Sequence, residues 1–330
     1  MTPSSKPEGL PAPSGRHRVG RASYDWADSQ RAEIYSSDPQ DRRELVVWVW
    51  YSAAAPPDAE RADYLPGAWA PDGQFFGLDA TGLRSNAVAG AAVATDRSTY
   101  PALVMSPSGS SPLLLAAIGE ELASHGYVVV GVNHTYETAV TVFADGRTVP
   151  VNPDAQAGAL GPQTGPYEER FRQRAAVCDY KAADLASVAD WLERLAADTD
   201  APLAGRIDLG RLGAFGHSFG GNAALEWCRN DRRCLAAANL DGALWTEVAR
   251  VGLKPAGVAG AGRTSGVRPL GLRGRRGRFG HRCRRIRRRE GDRLRRLADG
   301  SRAGPPRLHG TSHGGDPPEL HGGAVAAAPG

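Results

Sequence analysis

Residues Gly216-His217-Ser218-Phe219-Gly220-Gly221 set a serine among glycines at the junction of an apolar run and a helix-like segment. A serine placed there can act as a nucleophile. The glycines permit the sharp strand-to-helix turn that lifts a hydroxyl clear of a sheet, and they let the helix pack close behind it. The next backbone N–H, that of Phe219, then lies at a helix N-terminus, where the negative oxygen of an acyl-transfer intermediate can be held. A plain bend or a phosphate-binding loop uses the same residue types, so the flanking strand and helix carry the distinction.

An activated serine needs a histidine base and an acid that orients it. Asp241 stands where such an acid belongs. It follows the apolar run 235–240 and precedes Gly242, so its carboxylate is expected at the same sheet edge as Ser218. An ordinary turn Asp beside a glycine is the plainer alternative.

The elements that must position these residues read as a doubly wound α/β sheet. Residues 44–51 (ELVVWVWY), 100–105 and 127–132 are branched and aromatic runs, apolar at successive positions, as strands covered on both faces are. Residues 113–125 read as a helix stopped by Gly126, giving the strand, helix, strand order of a parallel crossover. The spacing of Leu185, Val188, Trp191, Leu192 and Leu195 predicts a long helix over 175–197 with one buried stripe. A strand over 211–215, a helix over 219–228 and a strand over 235–240 continue the alternation.

Composition divides the chain. Residues 1–249 carry 21 Lys and Arg against 31 Asp and Glu, whereas residues 250–330 carry 19 against 5, and all 7 Trp and all 9 Tyr lie in the first part. We read residues 1–20, rich in Pro, Ser and Gly, as a disordered lead-in, 21–253 as the α/β domain, and 254–330 as an Arg-, Gly- and Pro-rich low-complexity tail. The lead-in has no apolar run, so it is neither a secretory signal nor a membrane span; a cytoplasmic location is expected, unless a misassigned start hides an export segment. Cys228 and Cys234 could close a short loop, but two reduced thiols are the expected state.

Several separate motifs in order resemble the platelet-activating factor acetylhydrolase family of α/β-hydrolases. They are GHSFGG around Ser218, IDLGRLGAF before it, NLDGALW around Asp241, Arg43-Glu44-Leu45 leading into the strand at 48–51, and Ser106-Pro107 followed by a helix and ASHGYVVVGVNH. The resemblance covers about residues 28–253. It implies a mostly parallel α/β-hydrolase sheet and hydrolysis of short or oxidised acyl esters, phospholipid-like or other small esters, with no metal and no cofactor. It also implies Ser218 as nucleophile, Asp241 as triad acid, and the amides of Phe219 and Gly109 as oxyanion donors. The run 106–112 departs from the family's glycine pattern. His134 matches a family histidine, and just past a strand it reads as a structural hydrogen-bonding residue.

The family's base lies downstream of the acid in a motif resembling His-x-Asn-Phe-x-Asp, and no such string occurs here. Only His281, His309, His313 and His321 follow Asp241, all in the tail. Without a base the hydroxyl stays a weak nucleophile, so little activity is expected of the 330-residue chain, and an unfinished sheet should make it poorly soluble. We read the tail as a displaced reading frame of the hydrolase. With each codon begun one base later, 255–259 accommodates Arg-Pro-Ala-Leu-Gln, a strand of this family, and 316–322 accommodates Thr-His-Pro-Asn-Phe-Thr-Glu, the form of the absent histidine motif. Two rival readings stand beside the esterase. One is a carboxylesterase or polyester hydrolase of the same fold; the other is a non-catalytic domain whose Arg run binds nucleic acid, although no nucleic-acid partner is expected. The sequence leaves the oligomeric state open.

Overall fold

The computed structural model describes residues 9–253 except 76, 78, 81 and 161–165, all within the first of two units of the chain, Met1–Ala259. The expectations for the tail, including the displaced frame and the four downstream histidines, lie outside the described residues.

In chain order the elements are β1 (Arg18–Ala32), β2 (Arg42–Ala53), α1 (Ala70–Phe75), β3 (Ala87–Ala89), β4 (Tyr100–Ser106), α2 (Ala116–Ser124), β5 (Val128–His134), β6 (Val140–Val142), β7 (Thr148–Pro150), α3 (Pro153–Leu160), α4 (Tyr167–Ala197), β8 (Ile207–His217), α5 (Phe219–Asn230), β9 (Cys234–Leu240) and α6 (Val248–Val251). Seven strands form one mixed sheet in the order β3-β1-β2-β5-β4-β8-β9, with β6 and β7 as a separate pair. The half that carries the candidate site is parallel: β5, β4, β8 and β9 run side by side in one direction.

The apolar runs form strands because both faces of the sheet are covered. Along β2, Leu45, Val47, Val49 and Tyr51 enter one core cluster with the α4 stripe, while Val46, Trp48 and Trp50 enter the other. That is the two-residue alternation of a pleated strand with apolar residues on both sides. On α4, Leu185, Val188 and Leu192 are fully buried, each contributing about 1.5–3 kcal/mol by removal from water. Gly131 of β5 is required by close packing, since a Cβ there would sit 2.6 Å from Pro112 and 2.9 Å from Met105. α2 ends as expected at Gly126, whose φ of 94° suits glycine.

Two expectations are corrected. The lead-in is not free of structure from residue 9 onward: Leu10 N–H donates to Arg84 O at 3.0 Å, His17 N–H donates to Ser124 O at 3.1 Å, and Arg18 already opens β1. Backbone pairing fixes this stretch without the apolar run that composition looks for. Cys228 and Cys234, expected as free thiols, form a disulfide. α5 ends two residues after Cys228 and β9 starts at Cys234, so the intervening turn brings their Cα atoms within 4.9 Å, inside the bonding range. Among the described residues β9 pairs with β8 alone, and its Leu235 and Leu240 are exposed.

Candidate active site

β8 runs into Ser218 and α5 leaves it at Phe219, so the serine occupies the whole of the turn. Its φ of 54° and ψ of −124° lie in a region that a residue with a side chain rarely adopts. The glycines around it are steric requirements. A Cβ at Gly216 would fall 2.4 Å from the Gly220 backbone, one at Gly220 would fall 2.1 Å from Ser106 O, and one at Gly221 would fall 2.1 Å from Asn239 Oδ1. The turn is therefore pressed between the ends of β4 and β9, with Ser218 half-buried. Ser218 O accepts from Gly221 N–H at 3.0 Å and starts α5. The amide of Phe219, first residue of α5, is among the N-terminal donors that a helix itself leaves unused.

β9 delivers Asp241 beside this turn. Leu240 pairs with His217 across the sheet, and Ser218 N–H donates to Leu240 O at 3.0 Å. Asp241 is exposed and has a φ of 55°. Asn239 closes the bend around it, accepting from Gly242 N–H and donating to Gly242 O, both at 2.9 Å. α5 pins the segment that follows: Asn222 accepts from Trp245 N–H at 2.6 Å and donates to Thr246 Oγ1 at 2.8 Å. Strand order and side-chain bonds thus bring Ser218, Phe219 and Asp241 to one edge of the sheet. Gly109 sits in the loop between β4 and α2, which leaves the sheet at Ser106, the residue on which Gly220 packs.

His134 ends β5 at the same end of the sheet, but its side chain is turned into the core. It is fully buried, as are Ser106 and Asp184. Its Nδ1 lies 2.7 Å from Asp184 Oδ2 and its Nε2 lies 2.8 Å from Ser106 Oγ. A carboxylate only accepts, so Nδ1 carries the proton and the Ser106 hydroxyl donates to Nε2. The pairing has the form of a Ser–His–Asp triad, yet all three members are closed off from solvent. Asp184 is moreover committed to Arg43 at 2.6 Å and Arg31 at 2.7 Å. Burial, helped by the nearby charge of Lys181, pushes the His134 imidazole below its ordinary value and keeps it neutral. Burial alone would raise the Asp184 carboxyl, but the Arg43 guanidinium and the His134 bond outweigh it and hold it well below the usual range. This network fastens β2, α4 and β5 under the loop that carries Gly109.

The sequence reading passed over Arg43, Asp184, Lys181 and Glu137 as working residues. One signal is in the sequence: Lys181 and Asp184 set two charges among the apolar residues of the α4 stripe, beside Leu185 and Val188. Among the described residues no group of His, Cys, Asp and Glu is arranged to hold a metal ion.

The sequence model of the family described as platelet-activating factor acetylhydrolase, isoform II, matches residues 4–246, from before β1 to just beyond Asp241. The chain belongs to this family. It is 27% identical over 264 residues to a protein of Arthroderma benhamiae named "Probable 1-alkyl-2-acetylglycerophosphocholine esterase", covering 74% of this chain and 61% of that protein. It is 30% identical over 164 residues to the platelet-activating factor acetylhydrolase of Cavia porcellus, covering 43% of this chain and 35% of that protein. This family member therefore spans less than two thirds of the length of either relative. Among solved structures it is similar to a ferulic acid esterase from Streptomyces cinnamoneus, with a TM-score of 0.57 and 34% identity over 73% of this chain and 64% of that one.

Proposed function

We propose that the chain is a serine carboxylic-ester hydrolase acting on short or oxidised acyl esters of platelet-activating-factor type. The observation that carries this reading is Ser218 held at φ 54° between β8 and α5, with its amide bonded to the residue before Asp241. Strain of this kind is kept where a reaction needs an exposed, fixed hydroxyl.

In this scheme a histidine takes the Ser218 proton while Oγ bonds to the ester carbonyl carbon. The oxyanion is held by the amides of Phe219 and Gly109. The carbon–oxygen bond to the alcohol breaks as the histidine returns the proton to it, and water then cleaves the acyl-enzyme by the same route. Asp241 keeps the imidazole in its working tautomer. His134 cannot be the base, because its Nε2 faces Ser106 inside the core. The base is to be sought among His281, His309, His313 and His321, or in the histidine motif of the displaced frame, and the chain as it stands is expected to turn over slowly or not at all.

The full chain and a frame-restored version, assayed on an sn-2-acetyl phospholipid and on p-nitrophenyl acetate, test this. Turnover lost in Ser218→Ala and in Asp241→Asn supports the reading, and turnover that survives Ser218→Ala sinks it. A second reading, an esterase for aromatic acids, is favoured by the ring cluster just past Asp241. There Phe171 meets Trp245 edge-on at 6.1 Å and Arg174 lies 4.7 Å from the Trp245 ring centre. Methyl ferulate cleaved in preference to the acetyl phospholipid would select it. The Cys228–Cys234 disulfide supports an oxidising compartment rather than the cytoplasm.

A further inference from the structure

Lys181 is fully buried on α4, and its ammonium has two named acceptors. One is the carboxylate of Glu137, itself buried in the turn after β5. The other is the backbone carbonyl of Ser108, 3.1 Å from Nζ. Taking a lysine out of water is unfavourable unless its charge is matched, so this pair must be held together by the packing of α4 against the β5 turn. Ser108 has a φ of 72°, the left-handed region that favours glycine. A serine stays there only if its surroundings fix it.

The peptide bond joins these facts to the site. Ser108 C=O and Gly109 N–H belong to one planar trans unit and point in opposite directions. A cation that fixes the carbonyl toward the protein interior also fixes the Gly109 N–H away from it. The positive charge on the oxygen strengthens that N–H as a donor in the same step. On its other side Gly109 is bounded by the Glu137 backbone, whose carbonyl would lie 3.6 Å from a Cβ at Gly109.

We propose that Lys181, held by Glu137, is the positioning residue of the oxyanion loop: it grips the Ser108 carbonyl and so aims the Gly109 amide at the substrate oxyanion. The inference rests on the esterase reading, and its test separates the two. The paired change Lys181→Met/Glu137→Leu removes both charges and leaves neither unpaired. In the frame-restored protein it is expected to lower kcat by about 100-fold, the scale of losing one oxyanion donor, with KM changed by less than about threefold. In a Ser218→Ala background of the full chain, where no turnover is needed, 15N-glycine labelling should show the Gly109 amide resonance moved and its exchange faster by about tenfold or more, with the Gly213 amide of β8 and the Gly221 amide of α5 unaltered. Unchanged kcat together with an unchanged Gly109 amide would overturn the proposal. Should the paired variant not fold, Glu137→Gln decides on the same two readouts, with a smaller loss of kcat expected. If no Ser218-dependent turnover exists at all, the esterase reading fails and the Gly109 amide alone decides whether Lys181 positions the loop.

Discussion

Ser218 donates its backbone N–H to Leu240 O at 3.0 Å, so the turn that exposes the hydroxyl is fastened to the residue that precedes Asp241. Ser218 and Asp241 are then one rigid unit, because the strand pairing His217 with Leu240 closes just beneath them. That rigidity is what keeps Ser218 at a φ of 54°. Ser218→Gly should therefore raise the stability of the fold by about 1 kcal/mol, the order of one left-handed residue relieved, while removing the turnover expected of the frame-restored protein. Urea unfolding of the two proteins measures the first effect. A destabilised Ser218→Gly would mean that the turn is not strained.

The glycine that faces Ser106 gives a sharper contrast. In Gly220→Ala the new methyl would stand 2.1 Å from Ser106 O, a backbone atom that moves only if β4 moves. A loss of about 1–3 kcal/mol or more is expected, as for other overpacked sites. Gly109→Ala meets nothing closer than the Glu137 carbonyl at 3.6 Å, an ordinary contact. Its stability should stay within about 0.5 kcal/mol of the parent. Comparison of the two midpoints in one denaturant series tests whether the family glycines are needed for packing at one position and dispensable at the other.

Residues 44–51, 100–105 and 127–132 were legible as strands because both faces of the sheet are covered, which removes the polar residues that usually blur such runs. The turn at Ser218 and the placement of Asp241 were legible for a related reason, since each follows an apolar run directly. β1 was not, because its fifteen residues mix charges spaced three or four apart with small, polar and aromatic side chains, and its hold is backbone pairing with β2. Nor was the buried charge network. Arg43 and Asp184 are 141 residues apart, and each would read as a surface residue until the fold places it opposite the other. The Cys228–Cys234 bond escaped for a smaller reason: spacing allowed it, but only the exit of α5 into β9 decides the distance.

The same disulfide ties the end of α5, the helix that begins at Phe219, to the start of β9, the strand that ends before Asp241. It closes a loop across a sequence separation of 6. A loop this short restrains the unfolded chain by about 2 kcal/mol. Cys228→Ser/Cys234→Ser should lose about that much stability, and the parent should fall to the same level in a strong reductant. Equal stability of oxidised and reduced parent would show that the bond adds no restraint beyond the native packing.

Acid should act on this fold in two stages, set by His134 and Asp184. Burial places the folded His134 below its ordinary value of about 6.5, so the unfolded chain binds the proton first. Its contribution to stability is complete above that pH and is lost as pH falls toward the folded value, at up to about 1.4 kcal/mol per pH unit. Asp184, held well below the carboxylate range against Arg43, contributes above about pH 4 and is lost only as pH drops further. Stability measured from pH 8 to pH 3 should thus begin to decline near 6.5 and steepen below about 4. In His134→Gln the decline between about 6.5 and 4 should flatten while the steep acid limb remains, although overall stability is lower because Asp184 and Ser106 lose a partner. Asp184→Asn should cost about 3 kcal/mol, the low end for breaking a buried pair because Glu33 still faces Arg43 at 2.8 Å, and it should remove much of the acid limb. A His134→Gln profile parallel to the parent across the whole range would mean that the imidazole is not the neutral, buried group that holds Ser106 in place.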